Sequence, residues 1–103
     1  MGKEVRKMTK SEKNLQRYLI INAKLHDVFC RKVQAIGHVG FPDMFLARNG
    51  RIVLVEMKSP TGKGRLSKKQ EKEIERLRNE GINVYVIDSY AGADDVIKNL
   101  ADS

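Results

Sequence analysis

Residues 43–58 read DMFLARNGRIVLVEMK, two apolar runs, Met44 to Ala47 and Arg51 to Met57, on either side of Asn49-Gly50. Asn-Gly most readily supplies the two positive φ angles of a tight hairpin turn, so the runs are expected to pair antiparallel. With Asn49 and Gly50 as the central residues, Arg48 faces Arg51, and carrying the pairing outward sets Asp43 opposite Glu56. Directly opposed side chains share a face, with Cβ atoms about 4.5–5.5 Å apart, and like charges there are destabilising. A divalent cation between the two carboxylates is the simplest remedy. Lys58 shares the face of Glu56 one pleat further on, because side chains alternate along a strand.

Val53, Leu54, Val55 and Met57 make this second run a buried strand, where charges are seldom placed without a partner or a task. Carboxylate oxygens are hard ligands suited to Mg²⁺, which takes one or two carboxylates together with waters and phosphate oxygens. Such an ion activates water and neutralises phosphate charge, and a neighbouring lysine orients or balances it. Phosphodiester hydrolysis is the reaction that Asp43, Glu56 and Lys58 imply. The expected place is beyond the carboxyl ends of the strands, where open α/β sheets bind ligands.

Working outward, Thr9-Lys10-Ser11-Glu12 has capping-box spacing, and Leu15, Tyr18, Leu19 and Leu25 continue an apolar stripe, predicting a helix over 10–26. Residues 28–33 are β-prone and lead into Gly37-His38-Val39-Gly40. Ser67-Lys68-Lys69-Gln70 opens a second helix that Gly81 stops, with Leu66, Ile74 and Leu77 as a thin inward face. Residues 82–87 form a further strand, parallel to the Arg51–Met57 run because a β-helix-β crossover joins them. A short helix over Ala93 to Leu100 closes the chain. The resulting α/β domain has a mixed sheet flanked by helices.

Two residues carry two readings each. Glu12 lies on the inward stripe of the first helix and could bring a third carboxylate to the site, yet its position is also that of a capping glutamate. Gln70 is both the capping-box residue of the second helix and a member of the inward row Leu66, Gln70, Ile74, Leu77. Lys63 and Arg65, in the glycine-containing loop after Lys58, and Lys32, on the neighbouring strand, are candidate contacts to DNA phosphates. His26 and His38 lack metal-ligand partners at any recognised spacing and read as helix-end and loop residues.

At 103 residues and 41% hydrophobic, the chain holds one domain, residues 1–103, with enough apolar content for a core. Its net charge of +7 favours a polyanionic partner. Three Phe, three Tyr and no Trp argue against a stacking platform for single strands and for DNA read through its phosphates. The single cysteine, Cys30, excludes an internal disulfide and reads as a core residue. No apolar stretch nears the roughly 20 residues that span a bilayer, and no signal segment is evident, so the expected location is the cytoplasm of a bacterial or phage-infected cell.

Gly40-Phe41-Pro42-Asp43, Glu56-Met57-Lys58 and Leu66-Ser67-Lys68-Lys69-Gln70, in this order, resemble the signature of the VRR-NUC family of the PD-(D/E)XK nuclease superfamily. The likeness extends over roughly residues 9–90, and Glu12 on the first helix matches as well. It implies a restriction-endonuclease-like αβββαβ core and a Mg²⁺- or Mn²⁺-dependent DNA endonuclease. On that resemblance Asp43 and Glu56 hold the metal with the backbone carbonyl of Met57, Lys58 assists the water, and Glu12 and Gln70 complete the site. Standalone phage-type members resemble Holliday-junction resolvases acting as homodimers, whereas larger eukaryotic relatives cut flaps. A homodimer on a four-way junction is therefore expected, two symmetric cuts needing two sites. A non-catalytic branched-DNA-binding module and a less selective duplex or flap nuclease are the alternatives.

Overall fold

The computed structural model describes residues 8–61 and 64–102. Helix α1 (Lys10–Leu25) starts where the capping box places it: Thr9 Oγ1 accepts the Glu12 N–H at 3.1 Å, and Glu12 Oε1 accepts the Thr9 N–H at 3.3 Å. Its buried face is Glu12, Leu15, Gln16, Leu19 and Ala23. Leu25 departs from expectation and is 74% exposed. Six residues beyond Leu19 the helix has turned by roughly 240°, and Ala23, one turn on, fills that place instead. Asp27, at φ 58, then turns the chain into β1 (Phe29–Lys32).

The hairpin forms as read. Asn49 (φ 51) and Gly50 (φ 82) join β2 (Met44–Arg48) to β3 (Arg51–Met57), and the register runs from Arg48↔Arg51 to Met44↔Val55. Asp43 and Glu56 are the residues that follow on the two sides. Helix α2 (Lys68–Asn79) crosses over to β4 (Asn83–Ile87), which lies parallel to β3. Strand order is β1-β2-β3-β4, antiparallel except for that last pair.

Helix α3 (Tyr90–Ala101) begins three residues earlier than its sequence suggests. Ser89 caps it, accepting the Gly92 N–H at 2.9 Å, and a Cβ at Gly92 would come within 3.1 Å of that hydroxyl and 3.3 Å of Ile87 Cγ2. A glycine that reads as a loop signal is here the small residue that lets the first turn sit against β4.

Alternation along the strands sorts the molecule into two layers. On one face Met44, Leu46, Val53, Val55 and Met57 pack with Leu15, Leu19 and Ala23 of α1 and Ala93, Val96, Ile97 and Leu100 of α3. On the other, Leu54, Val84 and Ile74 of α2 form a smaller cluster with Phe41, Phe45, Leu66, Leu77 and Ile82 against it. Glu56 and Lys58, in step with Leu54, belong to this α2 side. Among the described residues, no helix is long and apolar enough to cross a membrane.

Cys30 is half-buried against the larger cluster. Burial pushes its thiol from 9.0 up to about 11, against a smaller lowering by Arg31. The unfolded chain therefore loses this proton first as pH rises, and the thiol's contribution to stability is lost between pH 9 and about 11. Alkylation by iodoacetamide at pH 9, followed by mass spectrometry, should be slower for the native protein than for the urea-unfolded chain. Equal rates would contradict the burial.

Candidate active site

Four polar side chains meet where β3 leaves the sheet. Asp43 stands just before β2, after the fully buried Pro42, at the point where the hairpin ladder ends. Its Oδ2 accepts the Met57 N–H at 2.8 Å, so the carboxylate takes the place of a main-chain acceptor and is fixed beside Glu56. Glu56 is 0% exposed, and its Oε2 accepts a hydrogen bond from Gln70 Nε2 at 2.8 Å. Lys58, 8% exposed, extends from the same side and donates from Nζ to Gln70 Oε1 at 3.0 Å, with Glu56 Oε2 4.0 Å away.

Gln70 thus stands between the carboxylate and the ammonium, donating to one and accepting from the other. Both of its sequence readings hold. Its Oε1 also accepts the Ser67 N–H at 2.8 Å, and its own N–H reaches Ser67 Oγ at 3.1 Å, completing a capping box. Opposite demands on the two ends of the amide set its orientation. Removing one partner from a buried charged pair leaves the other uncompensated, at a cost of about 3–5 kcal/mol.

Two glycines allow this assembly. Gly40, at φ +98, lies so close to the start of α2 that a Cβ would stand 2.9 Å from the Lys69 carbonyl oxygen and 3.0 Å from Gln70 N. The Gly40-Phe41-Pro42-Asp43 segment therefore brings the Asp43 loop and Gln70 together by backbone contact. Gly64 covers Lys58, a Cβ there meeting Ser59 N at 3.0 Å and Lys58 Cδ at 3.4 Å.

Glu12 is buried, its Oε1 accepting from both the backbone N–H and the hydroxyl of Thr9. It caps α1. Among the described residues no three carboxylate, histidine or cysteine side chains are grouped to hold one ion. Arg65 is exposed beside Gly64, and Lys63 lies outside the described residues.

Lys32 is exposed but pairs with Met44, whose side chain enters the α1 and α3 layer, so it is directed away from the Glu56 side. Arg31, paired with Phe45, has the side of Glu56, its guanidinium 4.2 Å from the Phe29 ring centroid. Sequence reasoning missed it. Carrying the hairpin register across to β1 would have distinguished these neighbours by parity.

Comparison with known proteins gives the family and the fold. The model of the VRR-NUC domain matches residues 6–91. A solved structure described as a VRR_NUC domain superposes with a TM-score of 0.77 at 27% identity, covering 87% of this chain and 97% of that one. No curated protein matches in sequence. The family match makes this a nuclease-type domain. The chain belongs to the VRR-NUC family, and DNA is the substrate that the family implies.

Gly40→Ala should lower stability in urea unfolding by about 1–3 kcal/mol, from its left-handed φ and the collision with the backbone of α2. Gly37→Ala, at φ +83 with nothing within 4 Å of the added Cβ, should cost less. Equal losses would mean that the close approach to Gln70 carries no weight.

Proposed function

We propose that this VRR-NUC domain is a Mg²⁺- or Mn²⁺-dependent endodeoxyribonuclease that cuts branched DNA, and that as a homodimer it resolves four-way junctions. The observation that carries the reading is the buried Glu56–Gln70–Lys58 network with Asp43 bonded to the next backbone N–H of the same strand.

The donor set fits a hard divalent cation. Asp43 and Glu56 offer carboxylate oxygens from adjacent strands at the end of a hairpin ladder, and Met57, between Glu56 and Lys58, adds a backbone carbonyl. A carboxylate has about four acceptor positions, so one group can serve a main-chain N–H and a cation together. These three residues would hold the ion. Bound there, it supplies positive charge to the phosphate and activates water.

The remaining work falls to the chain. Lys58, with its ammonium held by Gln70, orients the attacking water or a phosphate oxygen through an N–H. As the water oxygen bonds to phosphorus it gives up a proton to solvent, and the leaving nucleotide's P–O bond breaks, its oxygen taking a proton from solvent. Gln70 keeps Lys58 from closing onto Glu56, and Glu12 anchors the start of α1. Arg65 and Arg31, with Lys63 as a further candidate, neutralise flanking phosphates. The homodimer gives each of two opposed strands its own site, which a junction requires.

Asp43→Asn retains an acceptor for the Met57 N–H while removing the charge. Cleavage of a labelled four-way junction with Mg²⁺ should fall about 10²–10³-fold in this variant, with the fold intact by circular dichroism. Undiminished cutting would end the proposal, whereas wild-type binding without cutting would favour a non-catalytic DNA module. A panel of junction, flap, fork and linear duplex tests selectivity, and sedimentation tests the dimer.

Affinity should be strongly salt-dependent. With about six phosphates contacted, it is expected to drop about 10³-fold between roughly 50 and 200 mM salt. A flat dependence in fluorescence anisotropy would argue against the basic surface.

A further inference from the structure

A chain of hydroxyls joins the start of α1 to the segment after Lys58. Thr9 Oγ1 lies 3.2 Å from Ser11 Oγ, Ser11 Oγ 3.0 Å from Ser59 Oγ, and Ser59 Oγ 2.8 Å from Thr61 Oγ1. At its near end Thr9 donates its hydroxyl proton to Glu12 Oε1 at 3.2 Å.

That donation orders the rest, because each hydroxyl has one proton. With its proton on Glu12, Thr9 accepts from Ser11, Ser11 accepts from Ser59, and Ser59 accepts from Thr61. Ser59 also accepts the Thr61 N–H at 3.3 Å. Its hydroxyl thereby makes one donated and two accepted bonds, the full capacity of the group, in a buried position. The contact from Ser11 to Ser59 spans 48 residues.

Lys58 is otherwise fixed at two points, its N–H donating to the Ile87 carbonyl at 2.8 Å and its ammonium donating to Gln70. From these contacts we propose that Ser11 and Ser59 form a latch that sets the position of Lys58, making both serines positioning residues of the nuclease site. The inference rests on the nuclease reading above. Neither hydroxyl is assigned a contact with DNA. Their effect passes through the backbone that carries Lys58, the ammonium keeping its Gln70 partner while its stem is held from the opposite side of the sheet.

The test compares wild type with Ser11→Ala, Ser59→Ala, the double variant, and Ser11→Thr, which keeps the hydroxyl, on the four-way junction with Mg²⁺. Each alanine variant should lower kcat about tenfold, as expected for a displaced catalytic group, and leave KM for DNA within about twofold. Ser11→Thr should stay within about twofold of wild type, and the double variant should be no worse than the poorer single one, since both remove one tie. By NMR, exchange of the Thr61 amide should quicken in Ser11→Ala and not in Ser11→Thr.

A folded Ser11→Ala that retains wild-type kcat overturns the latch while leaving the nuclease reading intact. So does an equal loss in Ser11→Thr, or an effect confined to KM. Wild type that leaves every DNA uncut with Mg²⁺ and with Mn²⁺ overturns the nuclease reading and the latch with it.

Discussion

The site depends on the turn at Asn49-Gly50. Two positive φ angles there set the pairing of β2 with β3, and strand parity then decides which side chains enter each layer. A slip of one residue would turn Val53, Val55 and Met57 toward α2 and bury Glu56 and Lys58 among the leucines under α1. The apolar content of β3 forbids that slip more strongly than any polar contact at the site. Burial of apolar side chains on two faces is what makes the position of two charged groups definite.

Helix α2 answers the same constraint from above. Its capping box and its reach to Glu56 and Lys58 use one side chain, Gln70, so the signal that starts the helix is also the one that joins it to the strand below. Gly40 links a third element to that point. Local and tertiary preferences thus agree at one residue, the consistency expected of sequences that specify a single structure.

Much of this was legible beforehand because it is local. The hairpin and both capping boxes follow from residues within a few positions of one another, the parallel crossover from a single strand-helix-strand run, and the place of Asp43 and Glu56 just beyond the ladder from the turn. Elsewhere the outcome turned on helical phase or on contacts distant in sequence. Leu25 is apolar but out of phase with its helix, and Lys32 and Arg31 are equivalent in composition while parity separates them. The early start of α3 depends on a glycine lying against Ile87, and the hydroxyl chain on a contact between α1 and the loop after β3. Glu12 caps and is buried, and its spacing could not distinguish a cap from a ligand.

The two layers are unequal in strength. Helices α1 and α3 share a continuous apolar core with the sheet, whereas α2 rests on a smaller cluster of Ile74, Leu54 and Val84 edged by Phe41, Phe45, Leu66, Leu77 and Ile82, with polar bonds through Gln70 beside it. Elements with less buried apolar surface are in general the ones that open locally at lower free energy. Lifting of α2 would part the glutamine from its acid and its amine together while leaving most of the barricade beneath untouched. Any loosening of α2 would therefore be felt at Glu56 and Lys58 through one side chain.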